Sequence, residues 1–183
     1  MNKLLIDLSK VGLCLFTTLS LTACSQPASE PNNNTETLSI DKSLRTTFKN
    51  NVITTPECTM EIKETKIVPP LQTSFMDFNE LVVIYTLTNT GKENLDTGTL
   101  NWLWAVDVVQ EYESTIEELD NGIYMLYLDE NQVYRDNCNI TLKPGGSMDL
   151  MATYEIKDME TPIQLIVHDS AGTKIGEKTF NLE

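Results

Sequence analysis

The sequence predicts an all-β protein: an immunoglobulin-like antiparallel β-sandwich of seven or eight strands, preceded by a signal peptide and a disordered linker. Three observations predict this class. Short runs of alternating apolar and polar residues recur along the chain, and alternation of this kind is typical of half-buried strands. Pro, Gly, Asn and Asp cluster between the runs, and no long helical periodicity interrupts them. Strands at such spacing bury one face each and pack as two layers.

The first 23 residues have the organisation of a bacterial lipoprotein signal peptide. Lys3 and Lys10 precede an apolar stretch from Val11 to Leu21 that is too short to span a bilayer. The stretch runs into Thr22-Ala23-Cys24, where small residues fit the peptidase and the Cys24 thiol would receive a diacylglyceryl group. Two acyl chains anchor a protein firmly. We therefore predict a mature chain that begins at Cys24 and is lipid-anchored on the extracytoplasmic face of the cell membrane.

Composition divides the rest of the chain at about residue 56. Residues 24–56 are rich in Ser, Thr, Asn, Pro and Glu, which is typical of a flexible linker, and about 20 such residues have a mean reach of ~25 Å. Four apolar residues within it leave open a short helix or a first edge strand: Leu38, Ile40, Leu44 and Phe48. The predicted segments are thus a signal peptide (1–23), a lipidated linker (24–56) and a β-sandwich domain (57–183).

Within the domain, turn residues separate the predicted strands. These strands are 59–68, 81–88, 100–109, 124–128, 139–142, 147–156, 163–168 and 174–182. The third gives the clearest pattern, because Trp102, Trp104, Val106 and Val108 recur at period two and would share one face. We expect both tryptophans to pack in the core. Residues 114–119 instead predict a single helical turn.

Two turn motifs border these strands. The strand 81–88 runs into Asn89-Thr90-Gly91, and Pro144-Gly145-Gly146 leads into the strand that begins at Ser147. Together with the cleavage site at Cys24 and the polar spacer, this arrangement resembles a family of uncharacterised immunoglobulin-like lipoproteins of Gram-positive bacteria, over roughly residues 58–182. The resemblance implies a Gram-positive surface rather than a periplasm. It implies no activity, and it carries no functional residues onto this chain.

The cysteines divide by position. Cys14 lies in the signal peptide and Cys24 is the lipid site, so Cys58 and Cys138 are the pair left in the domain. Two thiols in an exported domain favour one disulfide, which would stabilise the fold by roughly 4 to 5 kcal/mol on the chain-entropy model. Two free buried thiols are the alternative. A redox or metal role is disfavoured because the chain has no Cys-x-x-Cys spacing.

The charge balance excludes several partners. The chain has 13 basic and 27 acidic residues, a net charge of −14, whereas nucleic-acid binding needs clustered Lys and Arg. Binding to anionic lipid headgroups is disfavoured for the same reason, because it also needs clustered basic residues. The densest acids lie between residues 107 and 136, and Asp120, Asp129 and Glu130 are weak candidates for calcium ligands. A solvated acidic face explains them more simply, since the EF-hand spacing is missing, and we predict no cofactor.

Catalysis is not predicted. His168, Asp169 and Ser170 are the residue types of a hydrolase triad in consecutive positions. Neighbours on a strand point to opposite faces, however, and a triad is assembled from distant parts of a fold. The chain also lacks a Gly-x-Ser-x-Gly elbow. We therefore expect no enzyme and no catalytic residues, with a hydrolase as the lowest alternative.

The aromatic residues favour recognition of a partner. Four tyrosines lie close in sequence to the acidic residues and form a candidate binding surface: Tyr112, Tyr124, Tyr127 and Tyr134. Tyrosine combines an apolar ring with a polar tip and is enriched at interfaces. We therefore predict a non-catalytic module that binds an envelope protein or peptide. The alternative is a carrier of a small ligand or of a metal such as calcium at the cell surface.

Overall fold

Two antiparallel sheets pack face to face. The computed structural model describes residues 45–70, 77–98, 100–124 and 128–182; the signal peptide, Cys24, most of the predicted linker and Tyr127 lie outside the described residues. The strands are β1 (Thr47–Lys49), β2 (Val52–Thr54), β3 (Cys58–Val68), β4 (Glu80–Asn89), β5 (Leu95–Asp96), β6 (Val106–Glu111), β7 (Ile116–Glu118), β8 (Thr141–Leu142), β9 (Ser147–Glu155), β10 (Ile163–His168) and β11 (Lys174–Phe180). The helices described are α1 (Leu100–Ala105) and α2 (Gln132–Asn137).

The strand order confirms the predicted sandwich. One sheet has the order β1-β2-β3-β4-β9 and the other β11-β10-β6-β7, while β5 and β8 pair as a small third sheet. All of these pairs are antiparallel. The described residues form eleven strands instead of seven or eight, because β1, β2, β5 and β7 are only two or three residues long and give no alternating pattern to read.

The sandwich begins earlier than the predicted boundary at residue 57. β1 and β2 form a hairpin that continues into β3, and Phe48 on β1 packs against Gly176 on β11. A methyl group at Gly176 would lie 2.6 Å from Cδ1 of Phe48, so the close approach of the two sheet edges requires glycine. The end of the predicted linker is therefore part of the fold.

The main core lies between the two large sheets. Alternate residues of β4, namely Leu81, Val83, Tyr85 and Leu87, face it and are at most 2% exposed. The four-stranded sheet contributes the buried residues Ile163, Leu165 and Val167 of β10, with Val106 and Val108 of β6. Burying each such side chain stabilises the fold by about 1.5–3 kcal/mol.

Helix α1 replaces the first half of the predicted strand 100–109, and the prediction that both tryptophans pack in the core is wrong for Trp104. Residues two apart share a face on a strand but lie about 200° apart on a helix. Trp102 is accordingly 1% exposed and Trp104 is 80% exposed. Trp102 stacks on Tyr85, with ring centroids 4.4 Å apart, and its Nε1 donates a 2.6 Å hydrogen bond to Tyr154. These core contacts of Trp102 explain why residues 100–105 form a helix instead of a strand.

Two further local predictions are wrong. Residues 114–119 contain strand β7 rather than a helical turn, because Ile116, Glu117 and Glu118 pair with β6. Residues 124–128 are no strand in their described part, since Tyr124 is helical and Leu128 is irregular. In both segments, tertiary contacts override a local pattern.

A second, smaller apolar cluster covers the outer face of the five-stranded sheet. Val68, Val82, Tyr124 and Met151 are buried in it. The segment that covers this face is held by Glu80, a 4% exposed carboxylate at the start of β4. Its oxygens accept hydrogen bonds from the backbone N–H groups of Ile123 and Tyr124, the shortest of them 2.9 Å long.

Candidate functional site

A pocket of about 790 Å³ opens at one end of the sandwich. The β2–β3 turn, the junction of α1 with β6 and the β10–β11 turn meet there, and we name it the Trp104 pocket. Its polar and aromatic lining includes Thr55, Glu57, Trp104, Asp107, His168 and Asp169. The volume lies within the range of about 300–1,000 Å³ that is typical of ligand sites.

Trp104 provides the largest exposed apolar surface at this pocket. The side chain is 80% exposed, against 64% for Ile116 and 55% for Val133, the next most exposed large apolar residues in the described part of the chain. An exposed tryptophan contributes little hydrophobic free energy to folding, but it can contribute that free energy when a partner covers it. Tryptophan is also among the residues that contribute most binding energy at interfaces. Its place on the lining of a pocket therefore makes Trp104 a candidate recognition residue.

His168 and Asp107 are in contact on the lining of the pocket. Nε2 of His168 lies 2.9 Å from Oδ2 of Asp107, although the carboxylate is off the direction of an aligned N–H hydrogen bond. Nδ1 lies 3.2 Å from the carbonyl oxygen of Gly172. The register of β10 against β11 shifts between Val167 and His168, and such a bulge re-aims the side chain at a strand end. Both ring nitrogens thus face groups of the protein itself.

The β10–β11 turn fixes Asp169. Its Oδ1 accepts 2.9 Å hydrogen bonds from the backbone N–H groups of Ala171 and Thr173, and Gly172 supplies the positive φ of 76° that the turn requires. The bond from Thr173 is the main cause that lowers the pKa of Asp169. Its carboxylate is therefore ionised at neutral pH.

The β2–β3 turn brings Cys58 to the inner wall of the pocket. Oγ1 of Thr55 accepts the backbone N–H of Cys58 at 3.0 Å and lies 3.4 Å from its Sγ. Burial raises the pKa of the Cys58 thiol, so the group is a neutral thiol rather than a nucleophilic thiolate. The position of this residue at a pocket with His168 and Asp107 therefore does not make a cysteine nucleophile.

Cys58 and Cys138 are both free thiols in the structure, and the disulfide predicted from the sequence stays a prediction. Both residues belong to the main core, Cys58 buried in it and Cys138 packed against it. Burial raises the pKa of Tyr85 most, and both sulfur groups raise it further. Both thiols therefore belong to the same core as Tyr85.

Carboxylates give the pocket its electrostatic character. Glu57, Asp107 and Asp169 line it, and its described lining contains neither Lys nor Arg. His168 is the one basic side chain among these residues and already contacts Asp107. The pocket accordingly carries net negative charge.

The predicted tyrosine surface is only partly formed, and Tyr124 does not belong to a surface. Tyr124 is 8% exposed within the second cluster. Lys66 places its Nζ 5.5 Å from the ring centroid, and the hydroxyl donates a 3.2 Å hydrogen bond to Glu130. Burial and that hydrogen bond raise the pKa of Tyr124. Tyr124 therefore has a packing role in this structure, and its part in binding stays a prediction.

The other predicted tyrosines have different surroundings. Tyr134, on α2, packs against the same second cluster. Tyr112, at the end of β6, donates a 2.7 Å hydrogen bond to Oδ2 of Asp158 instead. Tyr127 lies outside the described residues. The sequence predicted one recognition segment, whereas the structure uses two of its aromatics to cover a sheet.

The predicted calcium candidates do not converge. Asp120 pairs with Lys157, while Asp129 and Glu130 begin a 3-10 turn. No group of three or more His, Cys, Asp or Glu side chains with metal-binding geometry occurs among the described residues. The described structure therefore gives the calcium interpretation no support.

Sequence reasoning missed the Trp104 pocket because it placed Trp104 on a strand face in the core. In the sequence, His168 and Asp169 stand out only as two residue types of a hydrolase triad. The local sequence gave no signal against a strand here, because Trp102, Trp104, Val106 and Val108 recur at period two.

None of the helices in the described residues is both long enough and apolar enough to cross a membrane. Two solved structures share the fold. A candidate lipoprotein from Staphylococcus aureus is 19% identical and superposes with a TM-score of 0.63, covering 75% of this chain and 92% of its own. A protein from Enterococcus faecalis, solved by NMR, is 17% identical with a TM-score of 0.58, covering 75% and 94%.

No curated protein matches the chain significantly. A family model does match it, over residues 33–169. This stretch includes β1 to β10 and both turn motifs on which the resemblance to Gram-positive lipoproteins rested. The chain therefore belongs to the family described as a domain of unknown function, DUF5067.

Proposed function

We propose that the protein is a lipid-anchored module on the extracytoplasmic face of a Gram-positive membrane, that it binds an envelope protein or peptide, and that it catalyses no reaction. The Trp104 pocket is the binding site. The observation that carries this proposal is an 80% exposed tryptophan at a pocket of ligand size. Exposed aromatic surface of this kind is typical of recognition sites.

The anchor is supported by the N-terminal sequence. Leu21-Thr22-Ala23-Cys24 closes an apolar segment of signal-peptide length. The similar Staphylococcus aureus structure belongs to a candidate lipoprotein. A net charge of −14 disfavours direct contact with anionic headgroups, so a lipid tether and a spacer would hold the domain away from the bilayer.

The absence of catalysis is supported by the groups at the pocket. Cys58 is a buried thiol with a raised pKa, and His168 directs both ring nitrogens at protein groups. A general base must reach the proton that it abstracts. Neither residue presents the aligned nucleophile–base pair that covalent catalysis uses.

The anchor is tested by metabolic labelling with palmitate. Wild-type chain should incorporate label and fractionate with membranes, and Cys24→Ala should lose the label. Cys14→Ala is the matched control, since it removes the other cysteine of the N-terminal segment. Label that persists in Cys24→Ala would overturn the predicted attachment site.

The binding function is tested by affinity capture from the envelope of the native cell. The lipidated chain should retain one dominant envelope protein or peptide, and Trp104→Ala should lose it. Ile116→Ala is the matched control, because Ile116 is 64% exposed but does not line the pocket. Capture that is unchanged by Trp104→Ala would exclude the pocket as the site.

We also propose that Cys58 and Cys138 form a disulfide after export. Their shared location in the main core supports it, as does an oxidising extracytoplasmic setting. Intact mass measured on protein taken directly from cells should lack two hydrogens, and reduction should restore them. A fully reduced mass with both thiols alkylated only after unfolding would instead support two free buried thiols.

A further inference from the structure

We infer that the Trp104 pocket recognises the cationic side chain of a lysine or arginine in a peptide segment, with the aliphatic stem on the Trp104 indole and the charge among the carboxylates. This inference rests on the proposed function and names the chemistry of its ligand. It is carried by the combination of an exposed indole with a pocket lined by three acidic side chains.

Charge complementarity is the first step. Glu57, Asp107 and Asp169 come from three separate turns or strands and line one pocket. The Asp107 side chain is 48% exposed even though it contacts His168. Because the described lining contains no Lys or Arg, no intramolecular cation of these types offsets the three carboxylates within it. A ligand cation would supply that charge.

The indole of Trp104 is the second step. Tryptophan presents a large apolar aromatic face, on which methylene groups can pack. Lysine and arginine also carry apolar stems that pack on aromatic surface while the charged head stays polar. The Trp104 indole would therefore contact the apolar stem of such a side chain, and the carboxylates would contact its charged end.

Two of the turns that line the pocket are ordered before a ligand arrives. Asp169 is held by two backbone N–H groups in the β10–β11 turn, and the backbone of Glu57 donates to Oγ1 of Thr55 at 3.2 Å. Preformed sites lose less conformational entropy on binding. An anionic or neutral polar ligand would gain less here, because it would face the carboxylates without compensating charge.

The test uses the full chain with Cys24→Ala, labelled with 15N-tryptophan, in detergent micelles. The two tryptophans give two indole N–H signals, one from buried Trp102, which donates to Tyr154, and one from exposed Trp104; Trp104→Phe assigns them. The probes are acetyl-Gly-Arg-Gly-amide and its neutral counterpart with citrulline, then acetyl-Gly-Lys-Gly-amide and its counterpart with acetyl-lysine.

The arginine and lysine peptides should shift the Trp104 signal in a saturable way while the Trp102 signal stays in place. The citrulline and acetyl-lysine peptides should bind at least about tenfold more weakly, because they lack the charge. Glu57→Gln should weaken binding of the cationic peptides roughly two- to fivefold. Glu113→Gln, an exposed acid that does not line the pocket, should leave their affinity unchanged.

Two results would overturn the inference. Equal affinity for the charged and neutral peptides would show that the pocket does not discriminate by charge. If no peptide shifts the Trp104 signal, the pocket does not bind lysine or arginine side chains. Either result leaves the proposed function standing if affinity capture still depends on Trp104. Loss of that dependence in the capture experiment overturns the proposed function itself.

Discussion

Trp102 and Trp104 occupy the same short helix and have opposite environments, 1% and 80% exposed. The first is fixed by stacking on Tyr85 and by its hydrogen bond to Tyr154. Burial raises the pKa of Tyr154 to about 12, so the hydroxyl whose oxygen accepts this indole N–H stays protonated at physiological pH. One tryptophan therefore holds the fold, and the other faces the pocket.

Replacing each of these two tryptophans with alanine should have different effects on stability and binding. Trp102→Ala should lower the free energy of unfolding by about 3–5 kcal/mol, since it leaves a cavity between the sheets. Trp104→Ala should change it by less than about 0.5 kcal/mol and should remove binding. Urea denaturation followed by circular dichroism measures both. Equal destabilisation by the two substitutions would contradict the structure.

The close approach of Phe48 to Gly176 predicts energetic coupling between β1 and β11. Gly176→Ala places a Cβ 2.6 Å from Cδ1 of Phe48 and should cost about 1–3 kcal/mol by overpacking. Adding Phe48→Ala should relieve most of that cost, so the double mutant should be more stable than the sum of the single changes predicts. Strictly additive effects in urea denaturation would mean that β1 does not pack on this edge.

The hydrogen bond between Tyr112 and Asp158 predicts a pH-dependent contribution to stability. This bond is the main cause that lowers the pKa of Asp158 and raises the pKa of Tyr112 to about 12. A lowered carboxyl pKa stabilises the fold above the unfolded value of about 3.9 and loses this effect as the pH falls through the folded value. The raised tyrosine pKa stabilises the fold below about pH 10 and is lost toward about pH 12.

Tyr112→Phe should therefore lower stability by about 0.2–1 kcal/mol at neutral pH, which is the usual range for an exposed pair. The difference from wild type should shrink below about pH 4 and above about pH 10. Urea midpoints across pH 2.5–11 measure it. A difference that stays constant between pH 2.5 and 7 would show that the bond does not form.

Asn89 predicts a large effect from a small side chain. It is 1% exposed, and its Nδ2 donates to the carbonyl oxygens of Glu93 and Leu142 at 2.8 and 2.9 Å. Asn89→Ala leaves these acceptors without that donor and should cost about 1–3 kcal/mol. Asn139→Ala, at an exposed asparagine, should cost much less. Similar thermal melts for the two variants would contradict this role.

The same residue shows how much of the fold the sequence could predict. Asn89 joins the two turn motifs, because its backbone N–H donates to Gly146 and its carbonyl accepts from Gly145. The motifs and alternating runs sufficed for the sandwich and for β3, β4, β9, β10 and β11. The pattern failed at residues 100–105, where period two matched a strand and only the contacts of Trp102 with Tyr85 and Tyr154 select a helix.

The candidate site was less predictable than the fold. Asp107, His168 and Glu57 come from distant segments, and no local pattern reports that turns will meet at one end of a sandwich. Tyr124 was assigned to the surface because tyrosine is common at interfaces, whereas its neighbours in space, Val82 and Met151, bury it. Local sequence does not contain that information.

Site-specific photo-cross-linking in the native cell tests the central claim, that the Trp104 pocket is the binding site. A photoreactive residue replacing Ser170, which is exposed and lines the pocket, is compared with one replacing Ile116, and each is combined with Trp104→Ala. The account predicts one dominant cross-linked product from position 170 that disappears with Trp104→Ala, and none from position 116. Equal products from both positions, or a product at 170 that survives Trp104→Ala, would contradict it.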